Sequence, residues 1–336
     1  MHDELRRLHG DASLQLERDV RQHVCVPHVS RDRSVGESRH ALPAYVGDRD
    51  SALHLIIALV LVSAFLHAAW NALLRLETDK DRALVAAVGV ATLLAAIIAG
   101  IRWAAGDVPF PRIEGLGWAA AAGVFEWMYF ASLAKALDRG PLGPVYTISR
   151  GGAILVVWPI SVAIYGESVT LPSLAGSAIV FAGLALASAR TGDHRTAGRD
   201  ALAWAIACAG SIAGYHLAYK AALRAGGSPS AVFAAALTLA TAINIWRLGA
   251  EGRRAATALI RARAPRVILM GFICGGSFLI LMEALAGGGA GFVLTLRNTS
   301  VLFATALAYA IGDKPRYVQV TGSALVAAGA VLMAWG

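Results

Sequence analysis

From Ala52 onward the chain is a series of apolar runs, each about 20 residues long, separated by short stretches of Gly, Pro and charge. A helix crossing a bilayer needs about 20 mainly apolar residues. In lipid, only helices and closed barrels satisfy every backbone polar group. The runs are about twice as long as the ~10-residue alternating segments of an outer-membrane barrel. They predict an all-α integral membrane fold with ten transmembrane helices. Segments 1 to 5 are read at 52–75, 82–101, 116–137, 143–165 and 171–189; segments 6 to 10 at 200–223, 229–248, 265–286, 289–311 and 317–335. Composition agrees: 57% of residues are hydrophobic and only 15% charged, against about 25% charged in soluble domains.

Residues 1–50 are different. They carry eight Arg and nine acidic residues and no apolar run, so they lack the 7–15-residue apolar core of a signal peptide. The reading is a polar, disordered tail, with translation starting downstream near Val46 as the alternative. The net charge of +8 does not imply a nucleic-acid partner, because the basic residues are scattered through connections. Three Cys without CxxC or Cys/His spacing support neither a disulfide framework nor a metal site, and no bound cofactor is expected.

The chain repeats itself. "HAAWNALLR" at 67–75 aligns with "HLAYKAALR" at 216–224 at an offset of 149. "AKAL" (134–137) faces "MEAL" (282–285), Arg150 faces Arg297, and "YGE" (165–167) faces "IGD" (311–313). "GSAIVFAG" (176–183) faces "GSALVAAG" (322–329) with six identities in eight. Two five-helix repeats are expected, 51–190 and 200–336. With an odd number of crossings each, the second enters from the opposite side: an inverted repeat, as in many secondary transporters.

"LHAAWNALLR", "YTISRGGAILVVWPISVAIYGE" followed by "AGSAIVFAG", and "LTLRNTSVLFATALAYAIGD" followed by "TGSALVAAG" resemble EamA-type members of the drug/metabolite transporter superfamily. The resemblance covers residues 52–336. It implies a ten-helix carrier with a central cavity between two pseudo-symmetric halves, small polar metabolites as cargo, and export more often than uptake. Two residues depart from the family pattern: Asp313 stands where Glu is usual, and Asn298 where a Glu often follows the arginine of segment 9.

Arg150 and Arg297 are the leading candidate site residues. Each lies seven or eight residues inside its segment, roughly 10 Å deep, where facing lipid costs about 2.5–3.5 kcal/mol. They bind an anionic group of the cargo, which a guanidinium fork matches bidentately, hold the fold through a carboxylate or backbone carbonyls, or snorkel from half-depth to the interface. Tyr146 and Asn298 accompany them. Glu126 is read as a proton-coupling carboxylate, as an ion-pair partner of Arg150 or as hydrogen-bonded to a neighbouring Tyr, and Tyr129 shares its face. Ser63, His67, Trp70 and Asn71 fall on one face of segment 1 and are expected to line the cavity, with Tyr215 and Tyr219 doing the same on segment 6. The alternatives are an interfacial aromatic belt for Trp70, Tyr215 and Tyr219, and an interhelical hydrogen bond for His67. Lys135 and Glu283 are read as a gate pair or as solvated charges. Glu167 and Asp313 are read as caps of the helices that follow them.

No GxSxG, HExxH, P-loop or paired-carboxylate motif is present. The expectation is a secondary carrier in a bacterial inner membrane, exporting or exchanging a small polar or anionic metabolite by alternating access. The other class left open is a membrane-embedded enzyme or accessory subunit handling a lipid or anionic intermediate. A homodimer stays open. The connections after odd-numbered segments carry 16 basic residues and those after even-numbered segments four, so the positive-inside rule puts the odd connections in the cytoplasm and both termini outside. The family resemblance implies both termini inside.

Overall fold

The computed structural model describes residues 48–165, 169–188, 199–287, 290–313 and 315–334. Residues 1–47 of the expected tail with the start site near Val46, the capping role of Glu167, and the connection at 189–198 lie outside them, while residues 48–50, expected in the disordered tail, begin the first helix. The described residues are all-helical. The elements are α1 (Asp48–Arg75), α2 (Lys80–Ala104), α3 (Ile113–Arg139), α4 (Leu142–Tyr165), α5 (Leu171–Ser188), α6 (Arg199–Arg224), α7 (Pro229–Arg247), α8 (Gly249–Gly287), α9 (Ala290–Arg297), α10 (Ser300–Ala310) and α11 (Tyr317–Ala334). Among the described residues six helices are long and apolar enough to cross a membrane, and two shorter apolar helices accompany them.

Two elements differ from the sequence expectation. The basic stretch before segment 8, expected as a loop, is helical from Gly249 and merges with that segment across a kink at Arg263 (φ −134°, ψ 32°). Pro265 follows the kink; it lacks an N–H and restricts the residue before it. Segment 9 is not continuous: α9 ends at Arg297 and α10 starts at Ser300. Asn298 N–H bonds Thr295 O at 3.0 Å and Thr299 N–H bonds Leu296 O at 3.1 Å, the tighter i to i+3 pattern that interrupts an α-helix. The side chains of Asn298 and Thr299 also bond backbone carbonyls, of Leu294 and Leu296, which competes with helical bonding.

The polarity is inverted relative to a water-soluble protein. Leu93, Ile97, Ile206 and Phe181 face outward at 58–66% exposure, while Glu126, Arg150 and Arg297 are at most 3% exposed. Only an apolar solvent rewards this arrangement. Trp103, Trp246, Tyr309 and Tyr317 are exposed near helix ends, where interfacial aromatics are enriched. Trp70, Tyr215 and Tyr219 are fully buried, so the belt reading of those three is wrong: they need a polar interior for their N–H and O–H groups.

Glycines set the closest helix contacts. A Cβ on Gly176 would sit 2.6 Å from Gly329 O, and one on Gly329 would sit 2.6 Å from Gly176 O; Gly183 and Gly322 meet the same way at 2.7 and 2.6 Å. Here α5 and α11 touch backbone to backbone, as small residues allow in membranes. Gly123 on α3 approaches Ala236 O on α7 at 2.6 Å, and Gly271 on α8 approaches Ala87 O on α2 at 2.6 Å. Thr92 and Thr241 share a hydrogen bond of 2.7 Å between α2 and α7.

This packing makes a contrast testable. Gly176→Ala should destabilise the protein by about 1–3 kcal/mol, the usual range for overpacking, because the added methyl meets a carbonyl. Gly89→Ala, with nothing within 4 Å of the added carbon, should be neutral or stabilising by up to about 1 kcal/mol through helix propensity. Melting of the two variants in detergent checks the order.

Candidate functional site

The polar residues of the interior come from five helices and meet in one cluster. His67 (α1), Glu126 and Tyr129 (α3), Tyr146 and Arg150 (α4), Tyr215, His216 and Tyr219 (α6) and Arg297 (α9) are each at most 4% exposed. Phe278 of α8 is packed among them: its ring centroid is 5.2 Å from His67, 5.9 Å from Tyr215, and 4.7 Å from the Arg297 guanidinium carbon. Tyr215 also lies 5.5 Å from Tyr129 and 4.3 Å from His216.

Hydrogen-bond logic fixes the state of His67. Arg297 Nη2 donates to its Nδ1 at 3.0 Å and Trp70 Nε1 donates to the same atom at 3.3 Å. Both are obligate donors, so Nδ1 carries no proton and the ring is neutral; Nε2–H then points to Tyr129 Oη at 3.4 Å. Asn71 donates to His67 O at 2.7 Å, and Ser63 donates to Ser277 O at 2.6 Å. The polar face of segment 1 is therefore turned inward as expected, but its members brace the cluster.

The two arginines, matched in sequence, are not matched in bonding. Arg297 Nη2 is engaged by His67, and its plane lies over Phe278. Its Nε and Nη1 have no partner, and these two do not lie on one edge of the guanidinium. Arg150 has Nε and Nη2 without partners. These form one edge, with parallel N–H bonds spaced for two oxygens of a carboxylate or phosphate. Glu126 does not pair with Arg150: neither carboxyl oxygen has a hydrogen-bond partner, and its interactions are with Tyr219 and Arg297.

A cavity of about 30 Å³ adjoins the cluster. Arg150, Trp158, Ile212, His216, Thr295 and Asn298 are on its wall; His67, Trp70, Asn71, Glu126, Tyr129, Tyr146, Tyr215, Tyr219 and Arg297 are not. It follows α4 from Arg150 to the half-buried Trp158, away from the α4 N-terminus. His216 was passed over as a site residue, although it is the repeat counterpart of His67. Its Nδ1 donates to Ile212 O at 2.9 Å, and its Nε2 has no partner. Among the described residues no group of His, Cys, Asp and Glu is arranged to hold a metal ion.

The face at the α4 N-terminus is held by ion pairs. Gly312 takes a left-handed φ of +90°, and Asp313 N–H bonds back to Ala308 O at 3.0 Å. This turn aims the Asp313 carboxylate at Arg75 Nε (3.2 Å) and at the backbone N–H of Leu142 (2.9 Å). Asp313 thus caps α4 and not the helix that follows it. Glu77, 1% exposed, takes Arg263 at 2.7 Å and Arg266 at 3.1 Å. Lys80 pairs with Asp138, and Arg247 with Asp81. Lys135 and Glu283 do not form a gate: Lys135 lies 4.1 Å above the Trp204 ring, and Glu283 pairs with Arg102.

The EamA-like transporter family model matches residues 200–335. No curated protein matches the chain. A crystal structure described only as that of a protein shares the fold, with a TM-score of 0.55 at 19% identity over 85% of this chain and 98% of that one. Residues 200–335 are thus similar to the EamA-like transporter family, and the six helices long and apolar enough to cross a membrane agree with a multi-pass membrane protein.

The unequal arginines predict unequal stability effects. Arg297→Lys should lower the melting temperature in detergent, because hydrogen bonds to charged groups contribute about 1.5–3 kcal/mol. Arg150→Lys should leave it nearly unchanged. A double-mutant cycle of Arg297→Lys with His67→Ala should show a coupling of about 0.5–3 kcal/mol. Equal destabilisation by the two Lys variants would contradict the assignment.

Proposed function

We propose that the chain is a secondary carrier that exports or exchanges a small polar or anionic metabolite across a bacterial inner membrane by alternating access. In this reading residues 51–190 and 200–336 are two inverted five-helix repeats that cross the membrane ten times. The packing supports it. Gly123 and Gly271 are repeat counterparts, and so are Ala236 and Ala87, which they touch. Gly176 and Gly322 are counterparts too, and each packs on the counterpart of the other's partner. Thr92 and Thr241, 149 apart, bond to each other. Such reciprocity is what a two-fold axis in the membrane plane produces.

One observation carries the functional reading. Arg150, a buried arginine whose Nε and Nη2 have no protein partner, is on the wall of a cavity that follows α4 away from a face held by ion pairs. Leaving such a group unpaired is costly, and an anionic cargo would supply the missing partner. Arg150 and Asn298 are the substrate contacts in this scheme. Arg297, His67, Trp70, Asn71 and Tyr129 form the frame behind them, together with Glu126, Tyr146, Tyr215 and Tyr219.

The test is an efflux screen. Cells overexpressing the chain should release one class of solute faster than cells carrying Arg150→Ala, and purified protein should move that solute only across sealed vesicles. Chemical conversion of the solute in open detergent solution would point to an enzyme instead. Orientation is checked separately. The ion-paired face holds most of the basic residues, so a reporter near Arg254 should read cytoplasmic and one after Gly336 periplasmic. The opposite pattern would show that the family convention prevails.

A further inference from the structure

The helical stretch of α8 before its kink, "GAEGRRAATALIRA" at 249–262, has no part in the cargo site. At 1.5 Å per residue it is roughly 20 Å long. Both of its ends are tied to one short connection: Arg247, just before it, pairs with Asp81, and Arg263, at the kink, pairs with Glu77 at 2.7 Å. Glu77 and Asp81 flank the start of α2. The stretch therefore runs across the end of the bundle, at the level where the membrane-length helices stop.

Its faces differ in chemistry. Gly252, Ala255, Ala256 and Leu259 are buried or half-buried and form the face turned to the bundle. Glu251 borders a polar cleft with Asp79, Asp81 and Arg247. Ile260 is about two and a half turns further on, hence on the opposite flank, and it is exposed. Arg253 shares that flank and donates to Ile245 O at 3.4 Å, next to Trp246, which is 79% exposed. Arg254 and Arg261 fall on the side away from the bundle. Both are exposed, and neither has a hydrogen bond or ion pair among the described residues.

We propose that this stretch is an interfacial dock for anionic phospholipids, with Ile260 and Trp246 set into the edge of the bilayer and Arg253, Arg254 and Arg261 meeting headgroup phosphates. A guanidinium fork matches phosphate oxygens, and basic groups beside a membrane-spanning helix are drawn to an anionic leaflet. Three cations stand against one carboxylate, and that carboxylate is turned to the cleft, so the outer surface is positive. A lipid fits better than a soluble anion because apolar side chains share the arginines' flank. A soluble anion would cover the arginines and leave Ile260 and Trp246 bare, whereas a bilayer edge satisfies both. The proposal needs the chain to span a membrane and does not depend on what it carries.

The experiment places a fluorophore on Thr257→Cys, an exposed position between Arg253 and Arg261, in a full chain whose Cys25, Cys208 and Cys274 are replaced by Ala. The protein is reconstituted in phosphatidylcholine bilayers holding a minor share of phosphatidylglycerol, with a bromine quencher on one lipid or the other at fixed total composition. Brominated phosphatidylglycerol is expected to quench beyond its share of the bilayer, with a local enrichment of roughly fivefold for each arginine engaged, and less as sodium chloride is raised. Replacing Arg253, Arg254 and Arg261 together by Gln should bring the enrichment to about 1, while replacing them by Lys should retain part of it. Quenching in proportion to bulk composition in the labelled chain overturns the proposal, whether or not the Gln variant folds. Enrichment that survives in a folded Gln variant overturns it too, because the lipid then gathers elsewhere. Enrichment abolished by sodium phosphate but not by sodium chloride at equal ionic strength assigns the arginines to a soluble phosphate anion and overturns lipid docking.

Discussion

Two guanidinium groups buried at the centre of an apolar bundle are the constraint on which the other features depend. A charge at that depth must be paired, solvated or given a ligand. Arg297 is paired: His67, held by Trp70 and Tyr129, accepts its proton-bearing nitrogen at 3.0 Å, and Phe278 offers its ring face. Those partners come from α1, α3 and α8, so one side chain ties together helices from both ends of the sequence. The break between α9 and α10 falls immediately after Arg297, where tight helical geometry gives way to a turn. Arg150, the repeat counterpart, lies beside the Tyr146 ring at 6.0 Å and has Nε and Nη2 without partners. In the proposed carrier this difference divides a structural role from a binding role.

The same division appears along the membrane normal. Beyond the α4 N-terminus, Asp313 and Glu77 draw together α1, α4 and α8 through Arg75, the Leu142 N–H, Arg263 and Arg266. Surface ion pairs contribute little individually, but Glu77 is almost fully buried and takes two arginines, so loss of one partner leaves a charge to be accommodated. The cavity extends the other way, toward Trp158. In the proposed carrier, parting these ion pairs is the step that would open the α4 N-terminal face.

The helical class and most helix positions were legible in the sequence, because apolar runs of membrane length leave little choice. The inward face of segment 1 was legible too: Ser63, His67, Trp70 and Asn71 repeat at helical spacing, and all four are buried. What could not be read was partnership. That Arg297 is held by a histidine 230 residues earlier is a fact of packing, and equal depth made the two arginines look equivalent. The break at Asn298 and Thr299 had a signal in the run "RNTS", whose side chains bond backbone, but the surrounding apolar residues masked it. The helix before Arg263 was missed because its arginines read as a charged loop, although Ala, Arg and Leu favour helix. His216 was signalled only by its match to His67.

The central claim is that the Arg150 cavity is reached from one face of the membrane and sealed from the other. Ala153, buried on the cavity wall, offers a direct test as Ala153→Cys in a chain whose Cys25, Cys208 and Cys274 are replaced by Ala. A membrane-impermeant thiol reagent is applied to oriented vesicles from each side in turn. The account predicts labelling from the side opposite the Asp313 and Glu77 ion pairs, and little from the ion-paired side. Labelling from the ion-paired side alone, or equally from both, would contradict it.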